Sequence, residues 1–503
     1  MTTLKSQLEG LVALSPDSPE IEFEGRWHTW GQLASGIRQL GALLDAAGLG
    51  ADTRVGVVMR NRPEMVASIM GLMAAERCLV TLNPLFPDDR LVGDIVNTEA
   101  PAIVATRRDW ERPGLEDAAR KNGALCIEAE IEEGGALRFT KRIEADPSRW
   151  KRPKAEGIAI EMLTSGTTGV PKRIPLPRRN FEAGMVGYSQ YEKGREDGVP
   201  KLRSGTQIWH NSFAHISGIG GVLNIILAGR KFALLERFTV PAFHDVVKRH
   251  KPKVVNGPPA VVRMLLDAKL PREDFASVVS FRCGSAPLDP AVADEFYDYY
   301  GFPCLVNYGA TEFAGGASGW TMEDFKVFGK TKRGSVGRLN QGFEGRTVNP
   351  ETGAPLPAGE AGLLELKAPN LGNGKDWVRT TDLAVVDKDN FLFIKGRADN
   401  AIIRGGFKVA PDDVVRALEA HPAIREAAVV GMPDPRLGQV PVAALLLKAG
   451  STYPGDPAMS EFLRKTLTPY QVPVRFAVLE SLPRTGAMKV DLTSLRRTLE
   501  TPS

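Results

Sequence analysis

Nine consecutive residues, Thr164-Ser165-Gly166-Thr167-Thr168-Gly169-Val170-Pro171-Lys172, combine hydroxyls, glycines and a single lysine. That mixture suits a phosphate anion. Small residues let backbone N–H groups approach it closely, the hydroxyls add donors, and Lys172 supplies a mobile point charge. A Walker A loop is excluded by spacing, because it needs glycine directly before its lysine and Ser or Thr after it. Here Pro171 precedes Lys172 and Arg173 follows. A flexible surface turn has a similar composition, so the other polar clusters must be weighed beside this one.

Asn307-Tyr308-Gly309-Ala310-Thr311-Glu312 follows the apolar segment Cys304-Leu305-Val306, at an expected strand end where α/β sheets place ligands. Tyr308 offers a flat ring for a purine, Thr311 a hydroxyl for a phosphate, and Glu312 a hard carboxylate for Mg²⁺. Thr380-Thr381-Asp382 and Gly396-Arg397-Ala398-Asp399-Asn400 supply an acid that can accept from both ribose hydroxyls and a multidentate cation. Near the C-terminus, Pro483-Arg484-Thr485-Gly486-Ala487-Met488-Lys489 sets a lysine on a glycine-containing tip that could swing into a distant site. Taken singly, each has a bland counterpart: a strand-to-loop corner, a β-turn, a solvated terminal lysine.

The elements that must carry these groups alternate. A helical stretch near Leu33–Ala47, an apolar run Arg54–Met59, a second helical stretch Met65–Ala75 and Cys78–Leu82 predict a largely parallel, helix-covered sheet. The pattern recurs at Phe232–Leu235, Ala242–Lys248, Val254–Gly257 and Ala260–Ala268. After about Gly334 short strands take over (Gly362–Leu366, Leu383–Val386, Phe391–Ile394), predicting a β-rich subdomain over 334–398. A compact α+β pattern follows: strands at Ala401–Arg404, Glu426–Gly431 and Val440–Leu447, helices at Pro411–Ala420 and Met459–Leu467. The fold class expected is α/β, with a domain of residues 1–398 and a second of 399–503.

The 503 residues exceed what one core organises. Hydrophobic content of 43% and charged content of 25% sit close to soluble averages and indicate neither a disordered nor a membrane class. Sixty-four Lys and Arg against 60 Asp and Glu leave +4, too diffuse for a nucleic-acid partner. The four cysteines lie far apart without metal-ligand spacing, which predicts a reducing, cytoplasmic setting. No run of about 18 apolar residues occurs, and the N-terminus lacks an apolar core of signal-peptide length.

In this order and at these separations, the five clusters resemble the adenylate-forming superfamily of acyl-CoA synthetases, peptide-synthetase adenylation domains and beetle luciferases. The resemblance spans essentially the whole chain. It takes in Trp27-His28-Thr29-Trp30-Gly31-Gln32-Leu33, Gly284-Ser285-Ala286-Pro287-Leu288 and Gly405-Gly406-Phe407-Lys408-Val409 as well.

The resemblance implies a large N-terminal domain and a small mobile C-terminal domain hinged at Asp399, with ATP between them. It implies that Thr164, Ser165, Gly166, Thr167, Thr168, Gly169 and Lys172 handle the β- and γ-phosphates. Gly284, Ser285, Ala286 and Tyr308, with Asn307 and Gly309, would surround the nucleotide base. Thr311 would meet the α-phosphate, Glu312 the Mg²⁺, and Asp382 with Arg397 the ribose. Lys489 would be the cation between the two anions of the first reaction. After rotation at Asp399, Gly405, Gly406 and Lys408 would reach the site, with Gly406 leaving room for a pantetheine arm.

His215, in Phe213-Ala214-His215-Ile216-Ser217-Gly218, resembles the acyl and aryl CoA ligases, since amino-acid-activating relatives usually carry aspartate there. Phe213, His215, Ala310, Gly315 and Gly316 are the implied acyl pocket. The expected activity is a carboxylic acid:CoA ligase using ATP, Mg²⁺ and coenzyme A, on an aromatic, alicyclic or medium-chain acid. An adenylase serving a carrier protein or another acceptor, and a silent nucleotide-binding regulator, are the competing readings; retention of Lys172, Glu312, Asp382 and Lys489 together argues against the regulator. Three positions depart from the family pattern: Arg173, Thr381 and Met488 stand where glycine is usual.

Overall fold

The computed structural model describes residues 4–163, 173–188, 201–398, 401–404, 407–486 and 488–500, the side chains of 186–188 and 408 excepted. Among them five sheets carry the architecture. The largest has seven strands in the order Leu137–Ile143, Leu125–Ile131, Ala102–Thr106, Arg54–Val58, Cys78–Leu82, Ile158–Leu163, Arg173–Pro177. Its inner strands run parallel and both edges close antiparallel. Every residue of Arg54–Val58, Cys78–Leu82 and Ala102–Thr106 is buried. Helices cover both faces of such strands, which is why they appear in the sequence as unbroken apolar runs.

Local sequence starts the helices as expected. Thr29 and Gln32 close a reciprocal capping box on the helix Trp30–Ala46, and proline opens Pro63–Ala74 and Pro259–Ala268. The second parallel group is Val254–Gly257, Ser280–Cys283 and Cys304–Ala310, extended antiparallel by Gly315–Gly319 and Arg338–Leu339. The β-rich subdomain is a four-stranded antiparallel sheet, Glu344–Val348, Ala361–Lys367, Val378–Val386 and Leu392–Arg397.

One expectation needs adjusting. Asn307–Ala310 is not a loop beyond a strand end: parallel pairing stops at Val306, but the strand continues through Ala310 against Gly315–Gly319. The parallel sheet does end where expected, and the added antiparallel pair carries the motif past it.

Residues from 402 onward build their own sheet around the paired strands Ile424–Asp434 and Gly438–Leu447. Two apolar clusters drawn solely from this segment support it, one around Val414, Leu418, Met459 and Phe476, the other around Val430, Val442, Leu495 and Leu499. A core of its own is what a separate folding unit requires. The segment carries a lysine-bearing turn back to the larger part of the chain.

Candidate active site

At Gly309 the strand Cys304–Ala310 passes so close to its partner that a side chain is excluded. A Cβ on Gly309 would lie 2.5 Å from the carbonyl oxygen of Gly315, so only glycine permits this pairing. The register sets Gly309 opposite Gly316 and Ala310 opposite Gly315, which brings three of the expected acyl-pocket residues together. A short helical turn, Thr311–Phe313, then buries Phe313 and leaves Glu312 exposed. At the neighbouring strand end, a Cβ on Gly284 would lie 2.2 Å from Asn307 Oδ1. The Asn307 amide therefore covers the Gly284-Ser285-Ala286 turn. Ser285 holds a left-handed φ of 71°, a conformation that non-glycine residues keep mainly where the surroundings enforce it.

Tyr308 hydroxyl donates to Asp382 Oδ2, across 74 residues of sequence. Burial first, and the Asp382 carboxylate second, push the phenol above its ordinary range, so it stays a neutral donor. Asp382 sits opposite Arg397 in the ladder between Val378–Val386 and Leu392–Arg397. Arg397 Nη2 donates to Thr381 Oγ1 at 2.6 Å. Thr381, the residue in place of glycine, thus ties down the guanidinium beside the acid. Sequence reasoning assigned it no contact; a hydroxyl one residue before the acid, on a strand facing an arginine-ended strand, was the available signal.

Lys489 rides on a braced turn. Thr485 N–H donates to the Lys489 carbonyl at 2.8 Å, Met488 N–H to the Thr485 carbonyl at 2.9 Å, and Arg484 Nη1 to the Met488 carbonyl at 3.1 Å. Arg484 is itself fixed by a two-pronged bond to Glu426 at 2.7 and 2.9 Å. Met488, expected from the resemblance to be glycine, adopts φ 62°. Left-handed backbone costs a Cβ-bearing residue about 1–2 kcal/mol, and glycine's unfolded-state freedom costs about 0.5–1 kcal/mol. Met488→Gly is therefore expected to move the unfolding free energy by less than about 1 kcal/mol, whereas β-branched Met488→Val should destabilise by about 1–3 kcal/mol. Urea denaturation of the two variants checks this.

The turn reaches the large domain. A Cβ on Gly486 would lie 3.0 Å from Leu85 Cδ1, 3.4 Å from Asn83 Nδ2 and 3.7 Å from His215 Nε2. Lys489 is open to the water of the cleft yet crowded by protein, and its ammonium is held below the usual lysine range. Partial desolvation is the main cause, then Arg397; Glu312 and Asp382 pull the other way. Lys489, Glu312, Asp382 and Arg397 therefore share one electrostatic neighbourhood, although the sequence spreads them over 178 positions.

His215 precedes the helix Ile216–Leu227, and its buried Nε2 has no hydrogen-bond partner among the described residues. Burial, then Lys489, lowers its pKa to about 4, so the ring is neutral near pH 7. An unpartnered buried nitrogen beside a docked lysine tip is a group waiting for a ligand or water. Phe213, expected to line the acyl pocket, is wholly packed in the core, and its N–H donates to Asn61 Oδ1 at 3.0 Å. Asn61 Nδ2 donates to the carbonyls of His210 and Asn211, which fixes the segment leading to His215. Asn61 was not singled out from sequence, although a polar residue just beyond a buried parallel strand was a usable signal.

Thr164–Lys172, Asp399, Gly405, Gly406 and the Lys408 side chain lie outside the described residues. The flanks of the first segment are nonetheless fixed, since Leu163 and Arg173 face each other in the antiparallel ladder. Arg173 Nη2 donates to Asp94 Oδ1 at 2.7 Å, and Nη1 to the carbonyls of Thr81 and Glu161. A largely buried ion pair thus stands where the resemblance led to an expectation of glycine. Arg173→Gly should cost about 1–3 kcal/mol of stability by leaving Asp94 and two carbonyls without their donor. Urea denaturation of the variant reads the loss.

The sequence model of the AMP-binding enzyme family matches residues 8–374, and that of the AMP-binding enzyme C-terminal domain matches 416–489. The chain belongs to the AMP-binding enzyme family. It is similar to a long-chain-fatty-acid–CoA ligase of Bacillus subtilis (strain 168), 27% identical over 99% of this chain and 94% of the relative. The 4-coumarate–CoA ligase-like 9 protein of Arabidopsis thaliana is 30% identical over 94% of this chain and 84% of its own length. Among solved structures, ATP-bound MatB from Rhodopseudomonas palustris superposes with a TM-score of 0.82 at 23% identity, over 99% of both chains. The o-succinylbenzoate CoA synthetase of Bacillus subtilis with its acyl-adenylate intermediate gives 0.75 at 22%, over 99% of this chain and 98% of that one. As in those two structures, the family architecture here is a large α/β body followed by a smaller α+β unit.

Proposed function

We propose that this AMP-binding family member is an AMP-forming carboxylic acid:CoA ligase. The observation that carries the reading is the gathering of Lys489, Glu312, Asp382 and Arg397 into one neighbourhood, with neutral His215 at the tip of the lysine turn. A carboxylate oxygen attacks the α-phosphorus of ATP, the bond to pyrophosphate breaks, and acyl-AMP forms. Two anions meet in that in-line transition state, and Lys489 is the cation between them. Asp382 and Arg397 hold the ribose, Tyr308 and the Gly284–Ala286 turn face the base, Thr311 meets the α-phosphate, and Thr164–Lys172 embraces the leaving phosphates.

Glu312 fits Mg²⁺, because that ion is commonly held by one or two carboxylates together with substrate phosphates, and this carboxylate is exposed at the cleft. When bound, Mg²⁺ neutralises phosphate charge. In the second half-reaction the CoA thiol loses its proton, its sulfur attacks the acyl carbonyl, and AMP leaves. Lys489 then has no role, and rotation at Asp399 would replace it with the Gly405–Lys408 segment. The pocket lined by Ala310, Gly315 and Gly316 suits an aromatic, alicyclic or medium-chain acid.

Purified protein should release pyrophosphate with ATP, Mg²⁺ and members of a panel of aryl, alicyclic and C2–C16 acids, and make the acyl-CoA and AMP when CoA is added. Acyl-AMP that CoA never discharges would transfer the reading to a carrier protein or another acceptor.

A further inference from the structure

Away from the cleft, the helix Pro259–Ala268 of the large part presents Arg263 and Asp267, one turn apart on one face, to the segment beyond residue 402. Arg263 Nη2 donates to Glu419 Oε2 at 2.6 Å and its Nη1 to the Arg425 carbonyl at 2.6 Å. Arg425 returns the contact, its Nη1 lying 3.6 Å from Asp267 Oδ2. The second oxygen of Glu419 is fixed by the Ala427 N–H at 3.0 Å. The Arg263 and Glu419 side chains retain only 20% and 12% of their exposure, so water screens this pair weakly. None of the four residues belongs to a motif that touches nucleotide.

The strand these contacts hold, Ile424–Asp434, also anchors the turn that bears the lysine. Glu426, next to Arg425, binds Arg484, and Arg484 grips the Met488 carbonyl beside Lys489. Two sets of charge-assisted bonds, joined by the Arg425–Glu426 backbone, therefore lead from Arg263 on the large domain to the turn that presents Lys489. Opposite charges at two points also fix orientation, because sliding or rotating the segment would separate both pairs together.

We infer that Arg263–Glu419, with Asp267–Arg425, is a clasp that positions Lys489 for acyl-AMP formation and must open before the acyl group passes to CoA. The inference rests on the ligase reading for its two half-reactions. Arg263 and Glu419 are positioning residues, so they set how often the chain occupies the adenylating arrangement and leave the chemistry within it unchanged.

The test uses the full chain as Arg263→Met, Glu419→Gln and the charge-swapped pair Arg263→Glu with Glu419→Arg. Pyrophosphate formation from ATP and acid is measured apart from CoA-dependent consumption of preformed acyl-AMP, and small-angle scattering of the unliganded chain is recorded alongside. Each single variant should lose about tenfold in the first half-reaction, with the second unchanged or faster and the mean radius of gyration increased. The swapped pair should recover most of the first half-reaction, which a merely misfolded variant would not do. Equal loss in both half-reactions, or scattering that superposes on that of the unsubstituted chain, overturns the clasp. If the unsubstituted chain forms no pyrophosphate with any acid, the ligase reading fails, and the scattering comparison alone decides for or against the clasp.

Discussion

Lys489→Ala is expected to slow pyrophosphate formation by about 10²–10³-fold, the usual cost of deleting one group that stabilises transition-state charge. Transfer from preformed acyl-AMP to CoA should stay within a few-fold of the unsubstituted rate. The asymmetry follows from charge: two anions approach each other in the first half-reaction, while a thiol meets a carbonyl in the second. A pH profile provides a second reading. The Lys489 cation exists below its pKa and is lost above it, and partial desolvation first, then crowding with Arg397, lower that pKa. Pyrophosphate formation should therefore begin to fall at a lower pH than an ordinary lysine would set, and the variant's profile should lack this alkaline limb. Equal slowing of both half-reactions would remove Lys489 from its assigned role.

The parts of this site visible in the sequence are those where chemistry dictates residue type within a few positions. The hydroxyl- and glycine-rich stretch before Arg173, the Tyr308–Glu312 run and the Thr485–Lys489 tip stand out in the sequence because the ligands proposed for them, an anion, a base and a metal, would each demand particular side chains. The inner strands Arg54–Val58 and Cys78–Leu82 were legible for a different reason, since strands buried on both faces must be apolar throughout.

Strand Gly315–Gly319 was not legible, because Gly-Gly-Ala-Ser-Gly has neither alternation nor β-branched residues. What makes it a strand is its pairing with Asn307–Ala310, where the backbone of Gly315 and Gly316 comes close enough to exclude a Cβ at Gly309, so tertiary approach overrode local propensity. The clasp was equally hidden: Arg263 and Glu419 lie 156 residues apart, and each alone is an ordinary helix-surface charge. Thr381 and Met488 look like defects beside the family pattern. In the fold, the first holds Arg397 and the second occupies glycine's left-handed backbone.

Asp382→Ala should raise KM for ATP, and weaken AMP binding, on the order of a hundredfold. A carboxylate accepting from two ribose hydroxyls makes two charged hydrogen bonds, each worth about 1.5–3 kcal/mol, and part of that sum is returned when water solvates the freed hydroxyls. The neighbouring phenol separates ribose binding from mere support. Tyr308 donates to Oδ2 of the same carboxylate, and a carboxylate has about four acceptor sites, so this bond and the ribose bonds are compatible. Tyr308→Phe removes the support while leaving the acid and the aromatic face, so it should weaken AMP less than about fivefold, as one net hydrogen bond of about 1 kcal/mol allows. In the Asp382→Ala background, Tyr308→Phe should cost nothing further, because its partner is already gone and a buried hydroxyl without an acceptor is itself unfavourable. Calorimetric titration with AMP across the four proteins measures this cycle without needing the acid substrate. AMP affinity within twofold of the unsubstituted chain in Asp382→Ala would take the ribose away from this carboxylate and leave it as the Tyr308 anchor alone.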